Sequence, residues 1–178
     1  PPAEVSIAAF EPQDELERSL WQRMEEYERA LKKSNQVIDD PELNEYVRDL
    51  LCRTVGPECA HIRLYILRSP QFNATMSPNG VMTVWSGLML RAQNEAQLAT
   101  VLGHEFSHFK RRHSVQLFVN AKNKSNTAAW LALTGVGLLF AMGVEASIYQ
   151  FSREMEEEAD MEGLAYIKQA GYDPRQVP

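Results

Sequence analysis

Residues 94–117 read NEAQLATVLGHEFSHFKRRHSVQL, and this stretch decides both the fold class and the chemistry. Asn94 stands as an N-cap with Gln97 three residues on, a capping-box pattern, and no proline interrupts the stretch. The pattern predicts one helix from Glu95 to about Leu117. Inside it lies His104-Glu105-Phe106-Ser107-His108, an HExxH string. Residues i and i+4 of a helix share a face, so both imidazoles can reach one metal ion while Glu105 stands beside them to act on its water. Leu98, Val101 and Leu102 put these histidines on an apolar stripe, where an unpaired polar side chain is costly.

Zinc in a catalytic site takes three protein ligands and leaves a position for water. The metzincin continuation wants a glycine and a histidine where this chain has Arg111 and Ser114, so the third ligand comes from elsewhere. On a continuous helix His113 lies roughly 180° around from His104 and faces away from the site. The acidic stretch SREMEEEAD, 152–160, opens another predicted helix, over 152–170, and supplies candidates. Glu156 and Asp160 form an i, i+4 pair on the face of Gly163, a residue small enough to let this helix approach the HExxH helix closely. That selects Glu156 as the third ligand and Asp160 as partner to the far N–H of a ligand histidine. Glu154, Glu157 and Glu158 read as a solvated face favoured by the helix N-terminus.

The rest of the chain reads outward from this pair. Residues 14–33 space Leu16, Leu20, Met24, Tyr27 and Leu31 as one amphipathic helix. Residues 40–54, with Pro41 in the first turn, predict a second, broken at Gly56-Pro57. HIRLYILR, 61–68, and Val81 to Trp85 after the Pro78-Asn79-Gly80 turn carry strand patterns, predicting a sheet of two to four strands. The expected fold is α+β: a mostly helical, zincin-like core with a small sheet and the HExxH helix, one domain over 1–178. The 178 residues, 44% hydrophobic and 24% charged, suit one globular unit. Eighteen basic against 24 acidic residues, net −6, is the wrong sign for a nucleic-acid partner. Two cysteines, Cys52 and Cys59, allow one bridge, which requires an oxidising compartment, but no disulfide scaffold or four-cysteine zinc site.

The run NATMSPNGVMTVWSGLMLRAQNEAQLATVLGHEFSHFKRRHS (73–114), followed by SREMEEEAD and AGYDP (170–174), resembles the gluzincin family of the CAAX prenyl endopeptidases and the bacterial proteases HtpX and BepA. The resemblance implies a zinc endopeptidase with one Zn2+ per chain, held by His104, His108 and Glu156. Asp160 corresponds to the Asp of the family's SRxxExxAD string. It implies Glu105 as general base. It also implies a substrate-binding edge strand, whose counterpart here is Val81, Met82, Thr83, Val84 and Trp85, after a turn in which Asn79 separates Pro78 from Gly80. The implied substrates are unfolded or misassembled proteins, and the implied location is the bacterial periplasm or a membrane facing it. A zinc-stabilised chaperone or binding module with little peptidase activity is the competing expectation. Family members carry a further histidine downstream of the AD string, and this chain has none past Asp160. The expectation is therefore the catalytic core of a longer protein, with feeble activity alone.

Between Lys124 and Glu145 lie 20 uncharged residues, 125–144, about the minimum for a membrane span. A single crossing would part its ends by about 30 Å, yet His108 and Glu156 flank the run and must meet at one ion. Gly135, Gly137 and Gly143 point instead to a broken helix or hairpin, packed as core or forming a lid able to associate with a membrane surface.

Overall fold

The computed structural model describes residues 11–123 and 151–176. Helix α1, Glu15–Lys33, opens where the Asp14 carboxylate accepts from Glu17 N at 2.8 Å, and α2, Pro41–Val55, where Asp40 accepts from Leu43 N at 3.0 Å. A 3-10 turn, Gly56–His61, leads into β1, Arg63–Leu67. Strands β2, Ala74–Met76, and β3, Val81–Trp85, come next, then a short α3, Ser86–Arg91. Helix α4, Glu95–Lys110, carries the HExxH string, α5 spans His113–Asn123, and α6 spans Arg153–Gln169. A disulfide joins Cys52 of α2 to Cys59 of the 3-10 turn. No helix among the described residues is long and apolar enough to cross a membrane. The apolar run 125–144 and its expected hairpin lie outside the described residues.

Helix α4 is the axis of the main core. Its Leu98, Ala99, Leu102 and Phe106 are buried with Val47, Leu50 and Leu51 of α2, Met76 and Val84 of the sheet, and Ile167 of α6. Burial on so many sides needs apolar residues around most of the helix. A second cluster joins Leu20, Trp21 and Met24 of α1 to Val115 and Phe118 of α5. A third places Tyr27 and Leu31 of α1 against Leu67 and Trp85 of the sheet.

Two expectations are corrected. The helix expected to run to Leu117 stops at Lys110. Arg112 takes the left-handed conformation, φ 58°, its N–H returns to Phe109 O at 2.9 Å, and α5 starts at once in a new direction. A non-glycine residue pays steric strain there, so long-range contacts must hold it. The Arg112 guanidinium reaches Glu17 Oε2 at 2.5 Å and lies 5.8 Å from the Trp21 ring centre, both on α1. The reversal lets Val115 and Phe118 pack on the same helix.

The second correction concerns the strand expected to receive substrate. The sheet order is β1-β3-β2, so Val81, Met82, Thr83, Val84 and Trp85 form the central strand, buried throughout. β3 pairs in parallel with β1 (Arg63↔Val81 to Leu67↔Trp85) and antiparallel with β2 (Ala74↔Val84, Met76↔Met82). Both backbone edges of β3 are thereby taken, and it cannot accept an added strand. The outer side of β1 is covered as well, by Ile38 N to Ile66 O at 2.8 Å and Arg68 N to Gln36 O at 2.7 Å. The edge next to α4 belongs to β2, three residues too short to show an alternating pattern.

Helix α1 is tied to β1 through Glu28, a buried carboxylate. It accepts from Arg63 Nε and Nη2, each at 2.9 Å, and from Tyr65 Oη at 2.6 Å, with Lys32 Nζ 3.2 Å away. Burial alone would raise this carboxyl, but the three donors outweigh it and hold Glu28 at about 2, against an ordinary 4.5. A carboxyl lowered on folding contributes stability above its unfolded value, and that contribution is lost as pH falls toward the folded value. Stability should therefore decline between pH 4.5 and about 2. Glu28→Gln should cost about 1–3 kcal/mol at neutral pH and flatten the acid part of the profile. Urea midpoints across that pH range check this, and parallel acid slopes for the two proteins would refute it.

Candidate metal centre

The centre is built where α4 crosses α6. A Cβ added at Gly163 would stand 3.3 Å from His104 N and 3.4 Å from its Cα, and one at Gly103 would stand 3.6 Å from Gly163 Cα. The backbones meet at these two glycines, so Asp160 and Glu156, about one and two turns before Gly163 on α6, arrive at the HExxH face. Each helix is separately fixed at its start. Asn94 Oδ1 accepts from Gln97 N at 2.9 Å, Gln97 Oε1 from Gln93 N at 2.9 Å, and the Ser152 side chain caps α6 by accepting from Met155 N at 3.3 Å.

At this crossing His104 Nε2 and His108 Nε2 are 3.0 Å apart, and Glu156 Oε2 is 3.5 Å from the first and 3.9 Å from the second. Two imidazoles and a carboxylate are a zinc donor set, and tetrahedral bonds of about 2.0–2.1 Å would separate such ligands by about 3.4 Å. The donor set fits the ion. His104 Nδ1 lies 2.9 Å from Asp160 Oδ1, the far-side carboxylate expected from the i, i+4 pair. Burial, then the neighbouring His104 and His113, push His108 down to about 3, which keeps its ring neutral.

Glu105 follows His104 on α4 and sits between the ligand face and β2. The Met76 backbone N–H bonds its carboxyl, yet burial, then the charge of Glu156, push this group up to about 8. A carboxyl so perturbed beside a cluster of potential metal ligands is a candidate acid–base group. The edge strand β2 and Glu105 are thus in direct contact.

Two acid–base residues are placed differently from expectation. His113 does not face away: it is 1% exposed, and its Nδ1 lies 2.9 Å from His108 Nδ1. The helical angle that set it opposite His104 applies only to an unbroken helix, and the turn at Arg112 swings it back. Glu158 is not purely a solvated residue either, since its Oε2 is 3.2 Å from both His113 Nε2 and Arg111 Nη1. No sequence signal marks either placement, because Arg111-Arg112 contains no glycine or proline to announce a turn. Phe151 stacks on the His108 ring, with centroids 3.9 Å apart and planes 16° apart.

An HExxH helix crossed at close range by a helix bearing Glu156 and Asp160 defines the catalytic framework of a metallopeptidase. The chain belongs to peptidase family M48, whose sequence pattern it matches over residues 37–178. It is 31% identical over 169 residues to a putative beta-barrel assembly-enhancing protease of Vibrio cholerae, covering 85% of this chain and 35% of that protein. It is 27% identical over 170 residues to the beta-barrel assembly-enhancing protease of Escherichia coli K12, covering 85% and 34%. To the mitochondrial metalloendopeptidase OMA1 of Arabidopsis thaliana it is 34% identical over 116 residues, covering 64% and 24%. The chain spans about a third of the length of the two bacterial relatives.

The crossing makes a direct test available. Gly163→Ala must displace the neighbouring helix by a few tenths of an ångström, whereas Gly163→Val adds branches that the 3.3 Å gap cannot hold. Valine should therefore destabilise by about 1–3 kcal/mol and alanine by clearly less, as read from urea unfolding. Equal stability of wild type and Gly163→Val would show that the helices are not in contact there.

Proposed function

We propose that this chain is the catalytic core of a zinc endopeptidase, with one Zn2+ held by His104, His108 and Glu156 and with Glu105 as general base. The observation that carries the reading is the convergence of His104 Nε2, His108 Nε2 and Glu156 Oε2 beside a base that touches an edge strand. Zinc bound there would polarise a scissile carbonyl and make a water acidic enough to attack it. Glu105 would take a proton from the attacking water and return it to the leaving amine. Asp160 accepts from His104 Nδ1–H and keeps Nε2 turned toward the site.

In this reading the substrate is an extended segment of an unfolded or misassembled protein, added as a strand along the side of β2 that is not paired to β3. Main-chain bonding at such an edge favours unfolded chains and leaves side-chain preference weak. The names of the bacterial relatives, beta-barrel assembly-enhancing proteases, support this substrate class. The Cys52–Cys59 bridge supports a location in an oxidising envelope compartment such as the periplasm, with contact to a membrane surface assigned to residues 125–144.

Metal analysis and casein digestion test the core of the reading. Wild type should take up one zinc per chain. Glu156→Ala should bind it far more weakly, and unchanged zinc affinity would remove Glu156 from the ligand set. Glu105→Gln should keep the metal and lose about 10²–10⁴ in kcat. Cleavage at the wild-type rate would show that Glu105 is not the base. A protein that binds zinc and unfolded chains but never cleaves them would favour the chaperone reading.

A further inference from the structure

We propose that His113 and Glu158 together position the ligand His108, acting as its outer partner in the way Asp160 serves His104. This inference rests on the zinc-centre reading above. The two ligand imidazoles stand in different surroundings. The His104 side chain is 24% exposed and meets Asp160, itself 73% exposed, so a carboxylate reaches its Nδ1 directly. His108 is 2% exposed, and a carboxylate against its Nδ1 would be a charge removed from water, a costly arrangement. A neutral imidazole avoids that cost while still satisfying the buried N–H.

The bond directions fix the tautomers. If His108 Nε2 presents its lone pair to the site, its proton sits on Nδ1 and is donated to His113 Nδ1, 2.9 Å away. His113 must then carry its own proton on Nε2, where Glu158 Oε2 accepts it at 3.2 Å. The opposite arrangement, with the proton on His113 Nδ1, would force a proton onto His108 Nε2 and block its lone pair. Glu158 is 49% exposed and is held by Arg111, which also bonds Glu162 Oε1 at 2.8 Å. The chain His108–His113–Glu158 therefore carries the orienting charge from a deep ligand out to the surface. Its geometry depends on the Arg112 turn that brings His113 back to α4.

Chelator competition for zinc on the full chain tests this, with the apo-protein unfolding midpoint measured alongside. Outer partners of ligand histidines typically contribute about 10–100-fold to metal affinity, so His113→Leu should weaken zinc binding by about that factor. His113→Asn keeps an acceptor near the Nδ1 position and should restore most of the loss. Because His113 is buried and leucine could disturb folding, Glu158→Gln provides a surface change that leaves the apo midpoint unmoved, with an expected loss of about tenfold. Nitrogen NMR of the zinc-loaded protein should show His113 protonated on Nε2 only. Wild-type zinc affinity in Glu158→Gln, an asparagine variant as weak as leucine, or a proton on His113 Nδ1 would each overturn the inference. A wild-type chain that takes up no zinc would instead overturn the metal centre and this inference with it, whereas tight wild-type binding left unchanged by His113→Leu overturns this inference alone.

Discussion

The close crossing of α4 and α6 is the constraint on which the rest of the structure depends. Glycine inside a helix costs about 1 kcal/mol relative to alanine, and this chain places one in each helix, Gly103 and Gly163, where the backbones meet. What offsets that cost is distance. With no side chain between the helices, Glu156 and Asp160 come within reach of His104 without distortion of either helix. A wider crossing would leave the histidines facing a gap that a glutamate side chain could not span.

Around this crossing the core is arranged in layers. The sheet and α2 hold α4 from its other sides, with apolar residues of both buried against the helix that carries the HExxH string. Helix α1 contributes from outside: it anchors the sheet through Glu28 and the α4–α5 turn through Glu17. The left-handed Arg112 is therefore held by a contact distant in sequence, and it in turn decides where His113 lies. Local strain at this turn is balanced by a long-range ion pair and the burial of Val115 and Phe118.

The sheet shows the same interplay between local pattern and global order. β3 has the alternation and branched residues of a strand, but pattern alone does not say whether a strand is central or at an edge. Being buried on both faces and bonded on both sides, β3 is the frame. The short β2 is the strand that meets Glu105 through the Met76 N–H.

The sequence by itself determined the features set by short-range periodicity. The i, i+4 histidines, the Asn94 cap, the pairing of Glu156 with Asp160 on the face of Gly163 and the extents of α1 and α2 are all set by which residues a helix brings together. The same residues stand together in the structure. Tertiary structure alone decided the end of α4 at Lys110, the return of His113 to His108, the engagement of Glu158, the existence of β2 and the central place of β3. Each of these depends on a partner distant in the chain: Glu17 for Arg112, His113 for Glu158, β1 and β2 for β3. Periodicity records which face of a segment is buried. It does not record what buries it, and at this centre the identity of the neighbour is what sets the chemistry of each side chain.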